Sequence, residues 1–235
     1  MINKTKDTAV TFVLDESGSM DSVRAATISG FNEYVATLKS DDTPTLLRLM
    51  TFNSNGMNTI YSFEDVSSVR EMTSDDYKPG HLTPLYDAIA RGILDTEGYL
   101  EKASGEVDVI FVIMTDGLEN DSREYGRKHV FDMISKREKQ GWSFTYIGAN
   151  QDAWEVGRGI GISGEYTADY DADIPEKAME SIAFSNLRTK QSMRTGQRPQ
   201  QAFTEHERRS MNRKPRRTTL LETVGRLSHE IVGPT

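Results

Sequence analysis

The chain has 235 residues, 36% of them hydrophobic and 27% charged, with no cysteine and a formal net charge of −8. That length holds one ordinary domain with room for an appendage, and the missing cysteine excludes a disulfide framework and any thiolate metal site. No apolar run is long enough to span a bilayer, and the opening MINKTKDTAV has no apolar signal-peptide core, so the expected location is the cytoplasm.

The first informative stretch is Thr11 to Met20, TFVLDESGSM. Phe12, Val13 and Leu14 form the apolar run of a strand covered on both faces. The run stops at Asp15, and Ser17, Gly18 and Ser19 follow. Helical spacing then takes over through Val23, Ala26, Phe31, Tyr34, Val35 and Leu38, which predicts a helix from Val23 to Lys39. A carboxylate and two hydroxyls therefore sit where a strand ends and a helix begins, the place where open α/β sheets bind ligands. Asp15, Ser17 and Ser19 alternate, so a curled loop turns all three toward one point. Hard oxygens with little formal charge suit Mg²⁺, with Mn²⁺ and Ca²⁺ as alternatives. The same residue types also cap helices.

Leu46 to Phe52 reads as a second strand, Asn53-Ser54-Asn55-Gly56 as a hairpin turn, and Met57 to Phe63 as an antiparallel edge strand. Glu64 to Leu82 is irregular, with Pro79-Gly80 as a breaker. Thr83 is a natural helix cap and Pro84 a natural first helical residue, ahead of a helix that buries Leu85, Ala88, Ile89 and Ile93. Val109 to Met114 is a central parallel strand. It ends in Thr115-Asp116-Gly117, which is a turn signal in its own right.

Glu124 to Lys139 reads as a helix stopped by Gly141, and Trp142 to Ile147 as a strand. Asn150 and Asp152 open the next helix as caps first and as ligand contacts second. Gly157-x-Gly159-x-Gly161 follows a helix rather than a strand, so it is no dinucleotide fingerprint. A short strand near Glu165 and Tyr166 and a helix from Ile174 to Leu187 close the domain. The fold expected is α/β: a doubly wound, Rossmann-like, mostly parallel sheet of about six strands with one antiparallel edge strand and helices on both faces.

Three segments together resemble the von Willebrand factor A (VWA) domain and its metal-ion-dependent adhesion site. They are Asp15-x-Ser17-x-Ser19, Gly80-x-x-Thr83-Pro84-Leu85 and Thr115-Asp116-Gly117. The resemblance covers residues 8 to about 168. It implies a metal site of Asp15, Ser17, Ser19, Thr83 and Asp116, and capture of a partner's Asp or Glu by the metal. It also implies a non-enzymatic protein-binding role. The lack of an export signal points to the stand-alone intracellular kind found in bacteria and their viruses.

Domain limits of 1–187 and 188–235 follow from a change in composition. Residues 1–184 carry 17 Lys and Arg against 32 Asp and Glu, and residues 185–235 carry 11 against 4. The second part, rich in Gln, Arg and Pro, reads as a basic, extended tail. Its clusters are Arg208-Arg209 and Arg213-Lys214-Pro215-Arg216-Arg217. Leu220, Leu221, Val224 and Leu227 add a short amphipathic segment. Either the tail is a solvated extension, or its clusters seek nucleic acid or an acidic surface and make the domain an adaptor. A further alternative is a metal-dependent phosphohydrolase with Asp15 as nucleophile. Ser17 then stands where the acid/base carboxylate is needed, and His81 is the nearest candidate base.

Overall fold

The computed structural model describes residues 6–197 and 201–212. Six strands make one sheet: β1 (Asp7–Asp15), β2 (Thr45–Asn53), β3 (Gly56–Asp65), β4 (Val107–Thr115), β5 (Ser143–Gly148) and β6 (Thr167–Asp169). Their order is β3-β2-β1-β4-β5-β6, and only the β2–β3 pair is antiparallel. The chain builds outward from β1 to β3, then returns across β1 to lay down β4. The order thus reverses between β1 and β4, and the crevice at their carboxyl ends is the ligand-binding position of such sheets. Asp15 ends β1 there and Thr115 ends β4.

The helices are α1 (Arg24–Lys39), α2 (Leu85–Leu100), α3 (Arg127–Lys139), α4 (Ala153–Gly159), α5 (Pro175–Arg194) and α6 (Glu205–Met211). Alternation along β1 sends Phe12 to one face and Thr11 and Val13 to the other. Phe12 meets Phe31 and Tyr34 of α1 edge-on, at centroid separations of 5.6 and 5.2 Å. On the opposite face Thr11 Oγ1 meets Thr96 Oγ1 of α2 at 2.8 Å. Gly92 lets α2 come this close, since a Cβ there would stand 2.8 Å from the Phe111 ring. Val109 to Met114 and Phe12 to Leu14 are all buried. Each such large apolar side chain stabilises the fold by roughly 1.5–3 kcal/mol, and together they fix the two strand ends that carry the site.

Several boundaries move from those expected. A 3-10 turn, Gly18–Val23, precedes α1, and another, Gly164–Tyr166, precedes β6. Helix α3 starts at Arg127 rather than Glu124, because Asp87 of α2 accepts from the backbone N–H groups of Arg123, Glu124 and Tyr125 and holds them in a loop.

The largest difference lies after Leu187. Where residues 188–212 are described they are not extended. Helix α5 continues to Arg194, and α6 packs beside β6. A reciprocal cap starts α6: Thr204 N–H donates to Glu207 Oε2 at 2.7 Å, and Glu207 N–H to Thr204 Oγ1 at 3.3 Å. Phe203 and Met211 are wholly buried. Arg188 forks onto both Glu207 oxygens at 2.7 Å. Arg208 donates to Thr167 O at 2.6 Å and lies over the rings of Trp154 and Phe203. Asn212 donates to Asp169 O at 3.0 Å. Two carbonyls of the outermost strand are thereby satisfied. Local capping and two buried apolar anchors prevail over a polar composition. Arg213, Lys214, Arg216, Arg217 and the amphipathic segment lie outside the described residues. Among the described residues no helix is long and apolar enough to cross a membrane.

Candidate functional site

The five residues singled out by the sequence converge on the crevice between β1 and β4. Asp15 is wholly buried: Oδ1 accepts from Ser17 N–H at 2.7 Å and Oδ2 from Thr115 Oγ1 at 2.5 Å. The Ser17 and Ser19 hydroxyls are 3.2 Å apart, and Ser19 donates to Asp116 Oδ1 at 2.7 Å. Gly117 joins this group to Thr83, since a Cβ on it would stand 3.4 Å from Thr83 Oγ1 and 4.0 Å from Ser19 Oγ.

Thr83 does not cap α2. The helix begins at Leu85 after Pro84, and its first-turn N–H groups are taken by other side chains, Tyr86 N–H donating to Glu119 Oε2 and Ser122 Oγ and Asp87 N–H to Ser122 Oγ. Thr83 is instead fixed through its backbone, with N–H donating to Asn120 Oδ1 at 2.8 Å and C=O accepting from Asn120 N–H at 3.1 Å. Its hydroxyl is left without a hydrogen bond among the described residues. Asn150 is also not a cap. It adopts a left-handed φ of 56°, and its amide donates to Asp116 O at 3.2 Å. Asp152 is the α4 cap, accepting from Glu155 N–H at 3.0 Å.

Supporting residues that sequence reasoning missed surround the five. Tyr77, fully buried, donates to Asp15 O at 2.6 Å. Buried Glu16 accepts from Lys78 N–H, while its carbonyl accepts from Gly80 N–H and from the Asn53 amide, which ties down the loop leading to Thr83. Gln151 donates to Gly117 O at 3.2 Å. Thr115 and Asn120 had a signal, their place beside Asp116 in the sequence; Tyr77, in the irregular stretch, had none. His81 is exposed in a left-handed turn with its ring 2.6 Å from the Asn55 amide, and it joins the cluster only through its carbonyl, which accepts from Gly18 N–H.

The electrostatics are one-sided. Asp15 and Asp116 are both buried, and among the described residues no Lys, Arg or His side chain pairs with either. Burial pushes the Asp15 carboxyl up to about 6, against the hydrogen bonds from Thr115 and Ser17 and helped by the charge of Asp116. Burial raises Asp116 as well. Two buried carboxylates in one crevice with three hydroxyls fit a hard divalent cation, which would relieve both charges. No group of three or more His, Cys, Asp or Glu among the described residues is placed to hold a metal. An ion here would depend on neutral oxygens as much as on anions.

Comparison with known proteins identifies the family and the fold. The family model of the von Willebrand factor type A domain matches residues 9–183, and the chain belongs to that family. No curated protein matches it. Among solved structures it is similar to manganese-loaded TRAP protein of Plasmodium vivax, at 15% identity and a TM-score of 0.50, over 74% of this chain and 72% of that one. It is also similar to the open conformation of the pilus adhesin SpaC of Lactobacillus rhamnosus GG, at 13% identity and a TM-score of 0.58, over 78% of this chain and 31% of that one. A third is proximal thread matrix protein 1 of the mussel byssus, at 18% identity and a TM-score of 0.56, over 76% and 46%. The chain thus spans less than half of the last two. At these identities the likeness establishes the fold, a mostly parallel six-stranded sheet with one antiparallel strand and helices around it.

Proposed function

We propose that the protein is a non-enzymatic, divalent-cation-dependent protein-binding module in which Asp15, Ser17, Ser19, Thr83 and Asp116 hold Mg²⁺ or Mn²⁺. When bound, the cation supplies surplus positive charge and a position for a carboxylate from outside, an Asp or Glu of a partner protein. Ser19 and Thr83 offer neutral oxygens from two loops. Thr115 and Ser17 N–H keep Asp15 oriented as a buried anion. Asn120, Asn150 and Gln151 hold the loops by their backbones, so the oxygens keep their places before any ligand arrives.

One observation carries the reading: two buried carboxylates share a crevice with hydroxyls, and among the described residues no cationic side chain beside them balances the charge. The manganese in the similar TRAP structure supports a divalent ion, and the similarity to a pilus adhesin supports a binding rather than a chemical task. Ser17 stands where a phosphohydrolase needs its acid/base carboxylate, which weighs against the enzyme. The tail as an anion-seeking arm loses Arg188 and Arg208, which are spent on Glu207 and on backbone carbonyls. A chain free of cysteine suits a reducing compartment such as the cytoplasm.

The test is Mn²⁺ titration calorimetry with affinity capture in Mg²⁺ and in EDTA. Wild type binds the ion and retains partners only in Mg²⁺, and Asp116→Ala does neither. Capture that persists in EDTA, or unchanged Mn²⁺ binding by Asp116→Ala, overturns the proposal.

A further inference from the structure

Two of the six large apolar side chains exposed among the described residues adjoin the cluster along the chain: Leu82, 50% exposed, precedes Thr83, and Leu118, 56% exposed, follows Gly117. Scattered apolar side chains on a surface are ordinary. These two are distinguished by the backbone that presents them. Leu82 N–H donates to Ser54 Oγ at 2.9 Å, and its carbonyl accepts from Ser54 N–H at 3.2 Å. The next residue, Thr83, has both backbone groups bound by Asn120. All four polar groups of the Leu82-Thr83 pair are therefore engaged. With the backbone fixed, the buried Thr83 side chain faces the cluster and Leu82 faces out.

The other loop is built alike. Asn150 and Gln151 donate to the carbonyls of Asp116 and Gly117, and Thr115 Oγ1 accepts from Gly117 N–H. Asp116 is turned in and Leu118 is turned out. The Gly117 Cβ position, 3.4 Å from Thr83 Oγ1, shows that the two loops lie side by side. Each of the two loops that carry the cluster thus presents an exposed leucine from a backbone held by hydrogen bonds.

We infer that Leu82 and Leu118 are specificity-determining shoulders, which favour a protein segment whose Asp or Glu has apolar side chains next to it. The inference rests on the metal reading above. The carboxylate is drawn by charge, and the flanking side chains cover the leucines. An acidic residue among polar neighbours gains only the first of these.

The probes are synthetic peptides, acetyl-Ala-Leu-Asp-Leu-Ala-amide and acetyl-Ala-Ser-Asp-Ser-Ala-amide, titrated in saturating Mn²⁺ against wild type and the Leu82→Ser/Leu118→Ser double variant. Wild type prefers the leucine peptide by about tenfold. The double variant binds Mn²⁺ as wild type does, which also shows that it is folded, and loses the preference. Equal binding of the two peptides, no binding of either, or a preference that survives in the double variant overturns the inference while leaving the metal reading standing. A wild-type protein that takes up no divalent ion overturns both.

Discussion

The loops at the carboxyl ends of β1 and β4 and the chain beyond residue 183 are both dense in charge, and they treat it in opposite ways. In the loops, Asp15 and Asp116 are buried without a cationic partner among the described residues, and the hydroxyls beside them are only partly engaged. In the C-terminal segment the inward-facing cations are matched: Arg188 with Glu207, Arg208 with backbone carbonyls and two rings, Lys190 with Asp41 and Thr43. Matched charge inside a protein holds elements together. Unmatched charge of one sign, held rigidly, costs stability and persists where something from outside completes it.

The sharpest way to break this comparison is Asp15→Asn, which keeps the shape and removes the charge. Cation affinity falls by at least about 100-fold, read by Mn²⁺ calorimetry. The ion-free protein at pH 7.5 melts no lower than wild type in EDTA. A lower melting point would mean that Asp15 is matched after all.

The second effect is on pH. The Asp15 carboxyl is raised to about 6 in the folded protein, above its ordinary 3.8. The native state therefore holds a proton that the unfolded chain has released, and stability falls as pH rises through about 6. At full effect the difference is about 3 kcal/mol, and Asp116 adds in the same direction. The loss runs between pH 3.8 and about 6, and melting in EDTA from pH 4 to 7.5 shows it. Saturating Mg²⁺ flattens it, because the cation favours the ionised form. Asp76, whose carboxyl Arg70 holds low, acts in a more acidic window and does not confuse the reading.

Arg208→Ala tests the matched region. It removes a charged donor to Thr167 O and the packing on Trp154 and Phe203. The expected cost is about 2 kcal/mol, seen in chemical denaturation, with Mn²⁺ affinity unchanged. A fall in Mn²⁺ affinity would show that the two regions are coupled.

Much of the sheet could be read in advance because its signals are local. The unbroken apolar run from Val109 to Met114 has one physical meaning in a chain of this composition, and so does the polar turn after Phe52. Asp15 and Asp116 were legible because they stand at strand ends, which a parallel sheet places along one edge, whereas Thr83 read as a helix cap and was joined to them only by the resemblance to the VWA domain. What stayed hidden depends on partners far along the chain. Tyr77 reaches Asp15 across 62 positions, and Asp87 shortens α3 from 36 or more positions away. Helix α6 was missed because its polar composition outweighed a cap signal, Thr204 with Glu207, and two apolar anchors.

The covering of β6 by α6 bears on how the domain can be cut. The family match stops at residue 183, and a chain ended there would leave the Thr167 and Asp169 carbonyls bare on the rim of the sheet. A bare rim is a template on which neighbouring molecules can add their own strands. The short helix insulates that rim, and it belongs to a stretch of chain that lies beyond the family match.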